Sequence, residues 1–571
     1  MRLIKYVPRF LLLSRWSGLL ILVIGSLVPS QVIAVGSWTN IVQSPPGGNP
    51  VGLMLLLGDG TVMAQQGGIS SNWYRLTPDI NGSYINGTWT NRASMKYTRE
   101  FYTSAVLRDG RVFVAGGEDG TGGNTAEIYD PRLDSWTEIP VPPDLICTNC
   151  SGPGFSDCGS VILPNGNLMI AAVQPANPKS TVIFNPFLNS LSQGPEYLSN
   201  QNEATWVKLP DDSIVTIDPT TDSTELNSSE RFIPSLNNGQ GGWLQDAYLT
   251  TPMYNFAQEI GAGLLLPDGR AWFIGGNGHT AYYNPSGNTN NGFWTQGPDL
   301  DSPGVGWDEP AAMMVNGKVL FQTVLGPPLN PQPRGYYEFD PTVNYPVGKI
   351  TAAPDWGDTS GVAHMMLNLP DGKVLVSYGS STVQVYVPDL VPVPSGKPTI
   401  TSITANGDGS YHLTGTKLNG ISQGSSFGDD AQMDSNYPLV RVTDGSSNVY
   451  YLPSYDWSST SVQTGSKLVS TEFFAFQGLT PAMPYSLVAV ANGIASAPIT
   501  FYGPVWVDLN SGDPTQLGSY DFPYHTFGQG TSAVPAGGTI NFKTAGHVPG
   551  SMTITKPMAI VAVGGAVLLG Q

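Results

Sequence analysis

From Tyr102 to Ile139 the chain alternates apolar runs with turn signals. An apolar run meets Asp109-Gly110, a β-branched run meets Gly116-Gly117, a third run ends Tyr129-Asp130-Pro131, and a fourth holds Trp136. Short runs bounded by Gly, Asp and Pro read as four successive strands. One such sheet leaves a face uncovered, so the pattern predicts neighbours built the same way. Six more stretches repeat it, with turn dipeptides at Asp59-Gly60, Asn165-Gly166, Asp211-Asp212, Asp268-Gly269, Asn316-Gly317 and Asp371-Gly372. The six steps from residue 59 to residue 371 average about 52 residues. This period predicts a seven-bladed β-propeller over residues 36–390.

Third-strand signals recur in step at Tyr74–Pro78, Ile128–Pro131, Ile183–Pro186, Tyr282–Pro285, Tyr337–Pro341 and Val385–Pro388. The fourth repeat is the least regular, with Arg231–Pro234 as its candidate. Aromatic outer strands follow most repeats, through Trp89, Trp136, Trp243 and Trp294, but none follows Tyr386-Val387-Pro388. The missing strand is found at the other end, in Ser37–Val42. Pairing of that segment into the seventh blade would close the ring and remove two exposed sheet edges.

Prolines at 388, 392, 394 and 398 mark a stiff linker over residues 391–398. Short alternating runs then predict an immunoglobulin-like β-sandwich over residues 399–503. In residues 504–571, Val534–Phe542, Met552–Ile554 and Ala559–Val563 fall at the spacing of β-helix rungs and predict a short β-helix-like tail. The fold class expected is therefore all-β throughout.

Composition narrows the setting. A formal charge of −18, with only 12% charged residues, argues against nucleic acid or an anionic membrane as partner. Residues 1–34 read as a signal peptide: Arg2, Lys5, Arg9 and Arg15, then the apolar run Gly18–Val28, then small residues ending at Ala34. The run is short of the roughly 18 residues a membrane span needs, so the mature chain is expected to be secreted or in the cell envelope rather than integral to the membrane. The three cysteines, Cys147, Cys150 and Cys158, lie in one segment. They are candidates for one local disulfide in an oxidising compartment, and no His or Cys pair beside them has zinc-site spacing.

Seven repeats of this period followed by a sandwich resemble the galactose oxidase and glyoxal oxidase family of copper radical oxidases, kelch propellers with an early-set immunoglobulin-like domain. Within residues 419–457 the runs Phe427-Gly428-Asp429-Asp430, Asn436–Arg441 and Asp456-Trp457 resemble the early-set domain of bacterial kelch proteins related to that family. The resemblance implies a copper held by two tyrosines and two histidines, one tyrosine crosslinked to a cysteine. Here His364 matches a histidine ligand, but Ala363 stands where the family has a tyrosine. The family's cysteine falls near Phe101 or Tyr102 and its radical tyrosine near Asp157 or Cys158, so phenol and thiol are exchanged. No counterpart of the second histidine is found, and copper(II) prefers imidazole-rich ligation.

Positions seven to nine residues before each turn dipeptide share one mouth of a propeller. Here they read Tyr102, Cys158, Glu203, Glu259, Asp308 with Glu309, and His364. Carboxylates converging on an axis repel unless solvated, bound to a cation or matched to a hydroxyl-rich ligand. Nearby Trp206 and Trp307 suit either sugar stacking or the propeller core. The expected function is a carbohydrate- or polymer-binding module lacking the full copper site. The alternative is a divergent copper oxidase forming peroxide from primary alcohols or aldehydes.

Overall fold

Each turn dipeptide closes by the same device. The side-chain oxygen of residues Asp59, Asp109, Asn165, Asp211, Asp268, Asn316 and Asp371 accepts the backbone N–H two residues on, at 3.0–3.3 Å (Thr61, 3.0 Å; Arg111, 3.0 Å; Lys373, 3.3 Å). The residue between them takes a positive φ, which suits Gly at six of the seven positions and is met by Asp212 at φ 64° in the fourth. This is why Asp-Gly and Asn-Gly recur.

The computed structural model describes residues 36–570, except 119, 146–154, 156–157, 172–179, 200, 202–203, 218–226, 254–259, 302–303, 307–308, 326–332, 355–364, 427–433 and 476–477. The signal-peptide segment, residues 1–34, lies outside the described residues.

Among the described residues, seven antiparallel sheets follow one another along the chain. The second is typical: Thr103–Val106, Val112–Ala115, Ala126–Asp130 and Ser135–Ile139 pair in chain order. The fourth repeat's third strand is Ser229–Ile233, at the position the sequence suggested. The innermost strand of each sheet packs against the innermost strand of the next, and Met365–Asn368 of the seventh packs against Val51–Leu56 of the first. The sheets therefore close a ring, the architecture of a β-propeller. Closure is completed at the outer edge, where Ser37–Asn40 pairs antiparallel with Val383–Val387. Apolar side chains fill the spaces between neighbouring sheets, as in the cluster of Phe113, Phe184, Ile162 and Cys158 between the second and third.

Residues beyond the ring form two antiparallel sheets packed face to face over Leu413, Val440, Phe473 and Leu487. This sandwich lies against the turn side of the ring. Ser454 N donates to Gly58 O at 3.0 Å, Trp457 N donates to Arg108 O at 3.1 Å, and the Tyr437 hydroxyl donates to Leu56 O. One segment goes further. Ser425–Ser426 pairs with Ala311–Met313 of the sixth sheet and lies among the innermost strands of the fifth and seventh.

After Gly503, Val505–Val507, Thr539–Phe542 and Ala559–Ala562 stack in parallel register, and Gly546–Val548 pairs in parallel with Val567–Leu569. Met552–Ile554, expected as a strand, is an exposed loop, with Met552 and Ile554 turned to solvent. A helix at Phe527–Ala533, absent from the sequence reading, begins with the capping box of Thr526 and Gln529. Among the described residues, no helix is long and apolar enough to cross a membrane.

Candidate functional site at the propeller mouth

The turn side of the ring is occupied by the sandwich, which leaves the opposite mouth, where the innermost strands begin. Tyr102 sits there, as its position predicts, but its side chain is turned inward and only 3% exposed. Its hydroxyl donates to Gln65 Oε1 at 2.8 Å, and Gln65 Nε2 donates in turn to Ser70 O and Arg99 O at 2.8 and 2.7 Å. The first and second sheets are thus joined at the mouth through one buried amide.

Arg99 anchors the same loop from beneath. Its guanidinium, fully buried, meets Glu127 Oε2 at 3.0 Å and also donates to Gly116 O and Thr125 Oγ1. The other oxygen of Glu127 accepts Lys96 N at 2.7 Å. Glu230 repeats this role in the fourth sheet, accepting Leu198 N and Ser199 N at 2.8 and 2.6 Å. A carboxylate on the third strand therefore holds the loop leading into the innermost strand. The Gly116-Gly117 break serves the same packing: a Cβ on Gly116 would lie 2.0 Å from Phe155 O.

Held this way, the loop Glu100-Phe101-Tyr102 forms one wall of a small cleft of about 60 Å³ that opens to solvent, with Phe101 at φ 47° and partly exposed. Gly52, Gln65 and Met365 supply other walls, so the first, second and seventh sheets all contribute. A partly apolar cleft with a few fixed polar groups suits a small part of a ligand.

The other mouth candidates divide. Cys158 is buried in the cluster between the second and third sheets, whereas Tyr102 belongs to the cluster spanning the first, second and seventh. The phenol and thiol thus pack in different compartments. Glu309 is 2% exposed and lies near the buried Tyr336, whose hydroxyl is pushed well above the ordinary tyrosine range by burial and then by Tyr378 and Glu309. Trp206 is a core residue, 1% exposed, with its ring 5.1 Å from Trp243. Cys147, Cys150, Glu203, Glu259, Asp308, His364, Trp307 and Phe427–Asp430 lie outside the described residues.

Gln65, Arg99 and Phe101 were missed by counting back from the turns. The signal was available: each second strand ends at the same mouth, and Gly67-Gly68 after Gln65-Gln66 matches Gly116-Gly117 after Ala115.

The donor set for copper is tested by the histidines. Of the five in the chain, His279 pairs with Asp299 at 2.8 Å, His412 pairs with Glu472 within the sandwich, and His525 and His547 belong to the tail. Among the described residues, no three His, Cys, Asp or Glu side chains are grouped to hold a metal. Among the described residues the copper ligand set that the resemblance implies is not assembled, and His364 lies outside them.

A family model described as the kelch motif matches residues 101–140. The chain carries a kelch motif. The match covers the second sheet, whose Gly-Gly, Tyr and Trp features are the ones described above. Two F-box/kelch-repeat proteins of Arabidopsis thaliana are similar over short stretches. One is 34% identical over 101 residues, 17% of this chain and 24% of its own length, and the other is 37% identical over 60 residues, 10% and 16%. The chain thus spans less than a quarter of the length of either. Solved structures with similarity include a fungal alcohol oxidase of the AA5 family in complex with copper, 13% identical with a TM-score of 0.49, covering 82% of this chain and 99% of that one. A streptogramin B lyase is 14% identical with a TM-score of 0.41, covering 62% and 99%.

Proposed function

We propose that this kelch-motif protein is an exported binding module whose propeller mouth holds a segment of a carbohydrate polymer, and that copper radical chemistry is absent. The reading is carried by the cleft at Gln65, Phe101 and Tyr102. It joins a partly exposed ring, a fixed amide and the Glu100 carboxylate on a loop that buried groups hold in place. Such a site binds without rearranging, which reduces the ordering cost of association. Hydroxyl-rich ligands match it, because carboxylate and amide oxygens accept from hydroxyls while the Phe101 ring covers a sugar's C–H face.

The experiment is binding to an array of immobilised glycans by the wild type and by Phe101→Ala and Gln65→Ala. Binding that falls in both variants supports the module. Failure to bind any glycan rejects it. A copper-loaded sample that forms peroxide from primary alcohols or aldehydes, and loses this in His364→Ala, replaces the binding reading with the oxidase.

A further inference from the structure

On the other side of the ring a second cleft lies in the seam between propeller and sandwich. Its cavity volume is about 170 Å³, and it opens to solvent. The propeller contributes the turns at Asp59, Asp109 and Asp130-Pro131-Arg132, and the sandwich contributes Tyr455 and Phe474. The two aromatic rings stack at 4.7 Å with 16° between their planes, and both are partly exposed. The walls belong to elements already joined by the Ser454–Gly58 and Trp457–Arg108 backbone bonds, so the cleft is preformed.

Its rim carries both signs. Asp109 is paired with Arg111 at 2.6 Å, Asp59 lies 3.7 Å from Arg75, and Asp130 lies 3.8 Å from Arg132. All three carboxylates keep partial exposure, and Arg132 is 64% exposed. Just outside the cleft, Asp456 has its carboxyl raised above the usual range by burial and then by Asp109 and Glu472, with Arg108 and Arg132 opposing. A strongly anionic ligand would meet the carboxylates, and a strongly cationic one would meet Arg132. What suits the rim is a neutral ring whose hydroxyls donate to carboxylates and accept from a guanidinium, with its C–H face on the aromatic pair.

We infer that this seam cleft binds a neutral pyranose ring, its C–H face against an outer face of the Tyr455–Phe474 stack and its hydroxyls hydrogen-bonded by Asp130 and Arg132. The site is separate from the mouth and stands whether or not the mouth binds a polymer.

The test is saturation-transfer NMR with the full chain and a set of methyl pyranosides (glucoside, galactoside, mannoside and N-acetylglucosaminide), with glucuronate and glucosamine as charged controls. The neutral pyranosides are expected to bind in preference to both controls. Tyr455→Ala is expected to weaken binding by about tenfold or more, and Asp130→Asn and Arg132→Ala by several fold. Should Tyr455→Ala fail to fold, the two turn variants decide the matter, because both sites are at the surface. The inference is overturned if no neutral pyranoside binds up to its solubility, or if these variants bind as the wild type does. Loss confined to Phe101→Ala would place the sugar in the mouth, overturning the seam site while supporting the mouth reading.

Discussion

Trp38 stands directly opposite Tyr386 in the seventh sheet, their ring centroids 4.8 Å apart, although 348 positions of numbering separate the two residues along the chain, from 38 to 386. The same indole lies 4.7 Å from Tyr336 of the sixth sheet and donates to Pro354 O at 2.9 Å. One side chain therefore ties the start of the described chain to two neighbouring sheets. Trp38→Ala should lower stability by about 2–4 kcal/mol, seen as a lower denaturation midpoint. Trp38→Phe should lose less. If the alanine variant unfolds at the wild-type midpoint, closure does not depend on this strand.

The Arg99–Glu127 pair couples stability to the mouth. Removing one partner strands the other's charge in the core, so Glu127→Ala should cost about 3–5 kcal/mol. Glu127→Gln, which keeps an acceptor for Lys96 N, should cost less. Because Arg99 O accepts from Gln65, both variants should also weaken ligand binding at the mouth. Destabilisation with mouth affinity unchanged would separate the buried pair from the site.

A pH response is expected from Asp434, beside the segment inserted into the ring. Burial, opposed by Lys208 and by a hydrogen bond from Gln423, pushes its carboxyl up to about 6 from an ordinary 3.8. Lys208 is itself buried, donating to Ile162 O at 2.8 Å and Thr460 O at 3.1 Å. A folded-state value above the unfolded one means that the folded protein binds the extra proton. Stability from this group is therefore full below pH 3.8 and is lost as pH rises through about 6. Asp434→Asn should match the wild type near the acid end of that window and exceed it at neutral pH by up to about 3 kcal/mol. Parallel stability curves across the window would remove the assignment.

The repeat was legible because each turn needs the same local chemistry: an oxygen at Asp59, Asp109 or Asn165 and a positive φ after it. The borrowed strand was legible because the seventh repeat lacks an outer run and Ser37–Val42 supplies one. The mouth was only half legible. Tyr102 lies where counting places it, yet its hydroxyl is spent on Gln65, a contact between sheets that no local pattern announces. The insertion of Ser425–Ser426 into the sixth sheet was hidden for a related reason. Two residues carry no periodicity, and their pairing depends on where the sandwich sits. The helix at Phe527–Ala533 has Gly528 and Gly530 in a short span, and its only local signal is the cap.

The proposed function rests on ligand binding through the pre-set cleft at the mouth. The most direct measurement is calorimetric titration of the strongest array glycan into the wild type and Phe101→Ala, with unfolding midpoints recorded for both. Saturable binding is expected for the wild type, with at least about a tenfold loss in the variant at an unchanged midpoint. Equal affinity in the two proteins would contradict it.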